Sequence, residues 1–173
     1  MTDIDQKPIA LVLMGVSGCG KSTIAKILAT RLHWPFIEGD DLHPPANVEK
    51  MSAGIPLNDE DRAPWLAAIA ATIVDDLTAG RSCIITCSAL KRRYRETIGG
   101  GNPQVLFIYL KGDRQMIAQR LAGRKGHFMP TSLLDSQFAA LEEPGPEEHA
   151  LTVEIGPPPD EIAETIIAKL SRR

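Results

Sequence analysis

The chain has 173 residues, 43% hydrophobic and 24% charged, with 19 basic and 22 acidic side chains and a formal net charge of −3. This length fits one domain with a sizeable core, and the ordinary composition excludes a disordered, collagenous or disulfide-scaffold protein. The mildly acidic balance argues against a general nucleic-acid or membrane-surface binder.

The N-terminus, MTDIDQKP, is acidic and has no apolar core of a signal peptide. Residues 9–14 then form a continuous apolar run, the mark of a strand buried on both faces. Residues 21–32 place Ile24, Ile27, Leu28 and Leu32 at helical spacing. Phe36 and Ile37 open a second short strand that ends in Glu38-Gly39-Asp40-Asp41. Asp61 is read as a helix N-cap with Pro64 in the first turn. From there Leu66, Ile69, Ala70, Ile73 and Leu77 make one apolar stripe, closed by Gly80. CIITC at residues 83–87 is a third strand, and residues 90–98 form a basic helix. Gly99-Gly100-Gly101-Asn102-Pro103 breaks the chain before a fourth strand at residues 105–110. Residues 116–121 are helical and residues 123–130 read as a loop. A fifth strand at residues 151–155 precedes the stop Pro157-Pro158-Pro159 and a terminal helix at residues 162–170. Solid apolar strands alternating with amphipathic helices predict a single three-layer α/β/α domain over residues 1–173. Its five-stranded parallel sheet would carry the site at the strands' carboxyl ends.

No apolar run approaches the roughly 20 residues a bilayer span needs. Cys19, Cys83 and Cys87 cannot all pair internally and are expected as free thiols. A cytoplasmic protein is therefore expected. Charge is segregated: residues 91–125 hold nine basic side chains against Glu96 and Asp113, and residues 38–61 hold seven carboxylates against Lys50 alone. Such blocks either gather an anionic ligand or line solvated helix faces.

The strongest motif is Gly15-Val16-Ser17-Gly18-Cys19-Gly20-Lys21-Ser22, which fits G-x-x-x-x-G-K-[ST] between a buried strand and a helix. The glycines let successive N–H groups converge on phosphate oxygens, and the helix opening at Lys21 adds its positive end. Lys21 supplies a mobile charge to the β- and γ-phosphates, and the Ser22 hydroxyl can ligate Mg²⁺. The sequence carries no Asn-Lys-x-Asp guanine-reading motif, and its third strand ends in Cys87-Ser88 rather than Asp. Magnesium must therefore lean on Ser22, phosphates, water, and Glu38 or Asp40. A compact ATP-dependent phosphotransferase fits better than a GTPase or a motor. Asp40, after the second strand, is the candidate base for an acceptor hydroxyl, and Glu38 suits the magnesium's outer shell. Both residue types also serve as caps and turn formers.

Five blocks carry a family resemblance: LMGVSGCGKS at residues 13–22, GDDLHPPANVEKMSAGIPLNDEDRAPWL at 39–66, CSALKRRYR at 87–95, FIYLKGD at 107–113 and RKGHFMPTSLLDSQFAALEEP at 124–144. In these the chain resembles the gluconate kinases (gluconokinases) of the small P-loop type, which are related in fold to shikimate and nucleoside monophosphate kinases. The resemblance implies phosphorylation of D-gluconate to 6-phospho-D-gluconate with ATP and Mg²⁺. It adds His43, Lys50, Arg62 and Lys91 to the substrate side. Arg62 offers a bidentate fork for a sugar acid's carboxylate. It also implies a lid over about residues 120–143, in which Arg120 packs on adenine and Arg124 reaches the transferring phosphoryl group. Lys125, Gly126, His127 and Phe128 would form the lid's moving tip. A homodimer is compatible with the resemblance. Phosphorylation of another hydroxy acid such as shikimate, or ATP sensing without turnover, stays open on the motifs alone.

Overall fold

The computed structural model describes residues 7–123 and 131–173. Arg124 and the lid-tip residues Lys125, Gly126, His127 and Phe128 lie outside the described residues. In chain order the elements are β1 (Ala10–Met14), α1 (Lys21–Leu32), β2 (Phe36–Glu38), a 3₁₀ turn (Gly39–Leu42), α2 (Pro45–Ser52), α3 (Asp59–Thr78) and β3 (Cys83–Thr86). There follow α4 (Arg92–Gly99), β4 (Val105–Lys111), α5 (Arg114–Ala122), α6 (Thr131–Ala140), β5 (Ala150–Glu154) and α7 (Pro159–Leu170).

The five strands form one parallel sheet in the order β2-β3-β1-β4-β5. The central strands β1 and β3 are buried throughout and the edge strands β2 and β5 only partly, which is why the central ones read as unbroken apolar runs. Alternate side chains feed two cores. Leu11, Leu13, Leu106 and Ile108 face a layer containing α1 and α7. Val12, Ile85 and Phe107 face α3 and α4. Each fully buried Leu, Ile or Phe contributes roughly 1.5–3 kcal/mol, so the sheet is a stiff platform for the loops at its carboxyl edge. Register aligns that edge: Leu13 and Glu38 both lie opposite Thr86, so the chain leaves β1, β2 and β3 side by side. Among the described residues no helix is long and apolar enough to cross a membrane.

The starts of α3 and α4 differ from the sequence expectation, and α2 and α6 were not expected. Helix α3 begins at Asp59, with Asn58 rather than Asp61 as N-cap. The Asn58 side chain accepts the Asp61 N–H (2.7 Å) while the Asp61 carboxylate accepts the Asn58 N–H (3.0 Å), a reciprocal pair that places Asp61 in the first turn. Pro64 then lies inside the helix. Helix α4 starts at Arg92 because Ala89, at φ 46°, turns the chain just before it. Helix α2 had no apolar stripe to announce it, whereas α6 carries Leu134 and Phe138 one turn apart, a short signal that sequence reasoning passed over. The buried residue of α2 is polar Asn47, and its Val48 and Met51 are exposed.

Among the described residues much of the basic block is paired. Arg92 pairs with Glu147, Arg95 with Glu148, Lys111 with Glu143, Arg114 with Asp135 and Arg93 with Asp59. Most of the local excess is thus cancelled by carboxylates that the fold brings from elsewhere. The three cysteines are free and buried, as expected. Burial pushes the Cys83 and Cys87 thiols up to about 12.

Candidate active site

The phosphate loop leaves β1 as Gly15 donates its N–H to the Ser88 carbonyl (3.2 Å), which ties the loop to the chain leaving β3. Gly18 and Gly20 take φ of 84° and 96°, a left-handed conformation that side chains resist. Gly18 is also a close approach: a Cβ there would meet Leu121 at 2.8 Å. Gly20 caps α1 without a side-chain hydrogen bond, and the first turn of α1 carries no acidic residue. The helix therefore presents uncapped N–H groups and its positive end to the loop. Lys21 Nζ lies across the loop, donating to the carbonyls of Gly15 (2.9 Å) and Val16 (3.1 Å). The Cys19 thiol is fully buried against Gly15, where a Cβ would meet it at 2.7 Å, so it acts as packing.

Glu38 ends β2 and reaches the start of α1. Its Oε2 accepts from Ser22 Oγ (2.7 Å) and its Oε1 from Thr86 Oγ1 (2.6 Å). Thr86 in turn accepts the Gly39 N–H (3.2 Å), and the Gly39 carbonyl accepts Trp65 Nε1–H (2.8 Å). One connected network thus runs from the phosphate loop to α3. Among the described residues no group of three or more His, Cys, Asp or Glu side chains could by itself hold a metal ion. The donor set Ser22–Glu38 instead suits a hard divalent cation that shares its shell with phosphate oxygens and water.

Asp40 follows in the 3₁₀ turn, its side chain exposed at the carboxyl end of β2. The His43 ring stacks on Trp65, with centroids 4.1 Å apart and planes 16° from parallel. Asn47 Nδ2 lies 3.2 Å from His43 Nδ1 and donates to the Asp61 carbonyl (2.8 Å), fastening α2 to α3. Burial holds the His43 pKa below the usual histidine value; Asp40 opposes that shift and Arg62 adds to it.

The remaining expected residues divide. Lys50 is engaged with the Asp61 carboxylate at 2.9 and 3.0 Å, and so braces α2 against α3. The Asn58 N–H, followed by Lys50, holds the Asp61 carboxyl below its ordinary value. Arg62 Nη1 donates to Tyr94 OH (3.3 Å) and its guanidinium lies 5.6 Å from the Tyr94 ring centroid. Lys91 Nζ lies 5.7 Å from the same centroid and 3.7 Å from Asp59 Oδ1. With Arg93, three cations surround Tyr94, and the Asp59 carboxylate accepts from both Tyr94 OH and Arg93. The Tyr94 hydrogen bond, then the cations, hold the Asp59 pKa down. Arg120, in the last turn of α5, donates to the Ile155 carbonyl (2.6 Å) at the end of β5. Sequence reasoning singled out neither Thr86, Trp65, Asp59 nor Tyr94. Trp65, Asp59 and Tyr94 stand inside the blocks that carried the resemblance, whereas Thr86 gave no signal beyond a strand residue.

A family model described as "AAA domain" matches residues 11–144. The chain is 51% identical over 166 residues to the gluconokinase of Gluconobacter oxydans (strain 621H), covering 96% of this chain and 93% of that protein. The crystal structure of a gluconokinase from Sinorhizobium meliloti 1021 superposes with a TM-score of 0.85 at 43% identity, covering 96% of this chain and 94% of that one. A shikimate kinase from Aquifex aeolicus, at TM-score 0.60 and 14% identity over 94% of this chain and 96% of that one, shares the fold alone. With its phosphate loop at the end of β1 and these relatives matched over nearly the whole length, the chain belongs to the gluconokinase family of P-loop kinases.

Proposed function

We propose that the protein transfers the γ-phosphoryl group of ATP to the 6-hydroxyl of D-gluconate, with Mg²⁺, giving 6-phospho-D-gluconate and ADP. One observation carries the reading. An uncapped, carboxylate-free helix start beneath the phosphate loop lies at the same carboxyl edge of the sheet as the exposed Asp40. In this arrangement the acceptor hydroxyl gives its proton to Asp40 as its oxygen bonds to the γ-phosphorus. The bond from that phosphorus to the bridging oxygen breaks, and ADP leaves with the electron pair.

The loop residues Gly15, Val16, Ser17, Gly18, Cys19, Gly20, Lys21 and Ser22 line the nucleotide cradle, with the N–H groups at the start of α1 turned to phosphate and Lys21 as the mobile charge on the transferred group. Ser22 and Glu38 would hold Mg²⁺, which when bound neutralises charge between the β- and γ-phosphates. Arg62 and Lys91, gathered at Tyr94, suit the carboxylate of a sugar acid; His43 shapes the pocket, and Lys50 acts by bracing Asp61. Arg120 belongs to adenine and Arg124 to the phosphoryl group in the same reading, with the segment about 120–143 as lid of a single domain over residues 1–173. The reading extends to a cytoplasmic enzyme of small-molecule substrates, with no nucleic-acid or membrane partner, compatible with a homodimer.

A coupled ADP-release assay across sugar acids, shikimate and nucleoside monophosphates tests it. Gluconate-dependent release supports the reading. ATP binding with no acceptor raising turnover would favour an ATP-sensing role instead, and release driven by another acid would reassign the acceptor.

A further inference from the structure

Gln137, on α6, touches the phosphate loop from 120 positions away along the chain. Its Oε1 accepts the Ser17 backbone N–H at 2.7 Å, and its Nε2 donates to Ser17 Oγ at 3.1 Å. The two bonds run in opposite directions, so both ends of the side-chain amide are matched. An ammonium, being donor-only, could not accept the Ser17 N–H. Ser17 is the third residue of the phosphate motif, on the outer limb of the loop just before the left-handed Gly18. The helix that carries Gln137 is itself anchored. Its Leu134 is buried in the core and its Asp135 pairs with Arg114 of α5. The Gln137 carbonyl also accepts the Leu141 N–H (2.9 Å). Within the segment read above as a lid, α6 is thus held to the core and to α5, and from there the amide reaches the glycine-rich stretch of the site.

A glycine-rich loop loses more backbone freedom on ordering than any other, and whatever orders it in advance removes that cost from ligand binding. We propose that Gln137 is a positioning residue for the nucleotide: it holds the outer limb of the phosphate loop in its binding curve, so that ATP meets a loop already shaped. The proposal rests on the nucleotide role given to the loop above. It also divides the Ser17 polar groups, tied to α6, from the N–H groups at the start of α1 that remain for phosphate.

The test is a double-mutant cycle on the full chain, with Mg²⁺–ATP affinity read by calorimetry and the KM values for ATP and gluconate by steady-state kinetics. Gln137→Ala is expected to weaken ATP binding about tenfold, equivalent to ~1.4 kcal/mol, while the gluconate KM stays at the wild-type value. Gln137→Asn, which keeps the amide but is one methylene too short to reach Ser17, is expected to match it. In a Ser17→Ala background the loss on Gln137→Ala should shrink at least about twofold, because the pair acts as a unit. Wild-type ATP affinity in Gln137→Ala overturns the proposal, as do strictly additive losses or a gluconate KM that rises as much as the ATP KM. The cycle reads ATP binding directly, so a wild-type chain that binds ATP without phosphorylating gluconate counts against the acceptor reading alone. Failure of the wild type to bind ATP sinks both.

Discussion

Gly39 is the residue where a single methyl group tests the whole connection between fold and site. A Cβ built there would lie 1.8 Å from the Thr86 carbonyl oxygen and 3.0 Å from its carbonyl carbon, with Ile69 behind at 3.6 Å. Ordinary contact begins at 3.4 Å, so β2 and β3 must part by more than about 1 Å, and both partners are backbone inside a sheet. That displacement stretches the Gly39 N–H bond to Thr86 (3.2 Å) and the Trp65 bond to the Gly39 carbonyl (2.8 Å). Two net hydrogen bonds at about 0.5–1.5 kcal/mol each, added to about 1–3 kcal/mol for overpacking, predict a loss of roughly 2–6 kcal/mol for Gly39→Ala. Glu38 and Asp40 flank the position and move with it, and a shift near 1 Å at reacting groups can cost about 10²-fold in rate. Urea unfolding followed by fluorescence gives the stability change, and the ADP-release assay gives kcat/KM on the protein that remains folded. A Gly39→Ala protein within about 0.5 kcal/mol of wild type, with undiminished turnover, would refute the packing argument.

Lys21→Ala is expected to abolish turnover, and Asp40→Asn to lower kcat about 10²–10⁴-fold while calorimetry still shows ATP binding; an active Asp40→Asn would remove it as the base. Arg95→Met removes a guanidinium that is nearly fully buried, donates to the Ala89 carbonyl (2.8 Å) and pairs with Glu148 through two bonds at 2.7 and 3.1 Å. The half-buried Glu148 carboxylate left behind keeps the Gly145 N–H (2.8 Å) as a partner, so the variant should lose about 1–3 kcal/mol by denaturant unfolding, with no measurable loss contradicting that account. The depressed pKa of His43 means that the unfolded chain takes up the proton first as pH falls. Its contribution is therefore full above the ordinary histidine value of 6.5 and is lost as pH drops through the lower folded value. Thermal melting between about pH 7 and about pH 5 should fall more steeply for wild type than for His43→Gln, and parallel slopes would dissociate His43 from the effect.

Local sequence already determined the parts of this protein whose physics is local. Apolar runs too long to face water on one side fixed three central strands of a parallel sheet, and the spacing of glycines before Lys21 specified a phosphate loop wherever that strand lay. Legibility weakened where a residue's role depends on a distant partner. Asp61 looked like a cap because capping chemistry is shared by Asn and Asp; the reach from Asn58 to the third helical N–H decided between them. The basic block of residues 91–125 left open an anion site or solvated helix faces, until the fold laid Glu147, Glu148 and Glu143 against Arg92, Arg95 and Lys111. Thr86, a strand residue with no motif, became the hub between Glu38 and Gly39 only through sheet register. Ser22 and Glu38, sixteen positions apart, share a hydrogen bond because β1 and β2 both end at one edge of the sheet. Composition and periodicity report which groups are present and which face they occupy. Which charge meets which, and which hydroxyl completes a network, is decided by pairing across strands and layers.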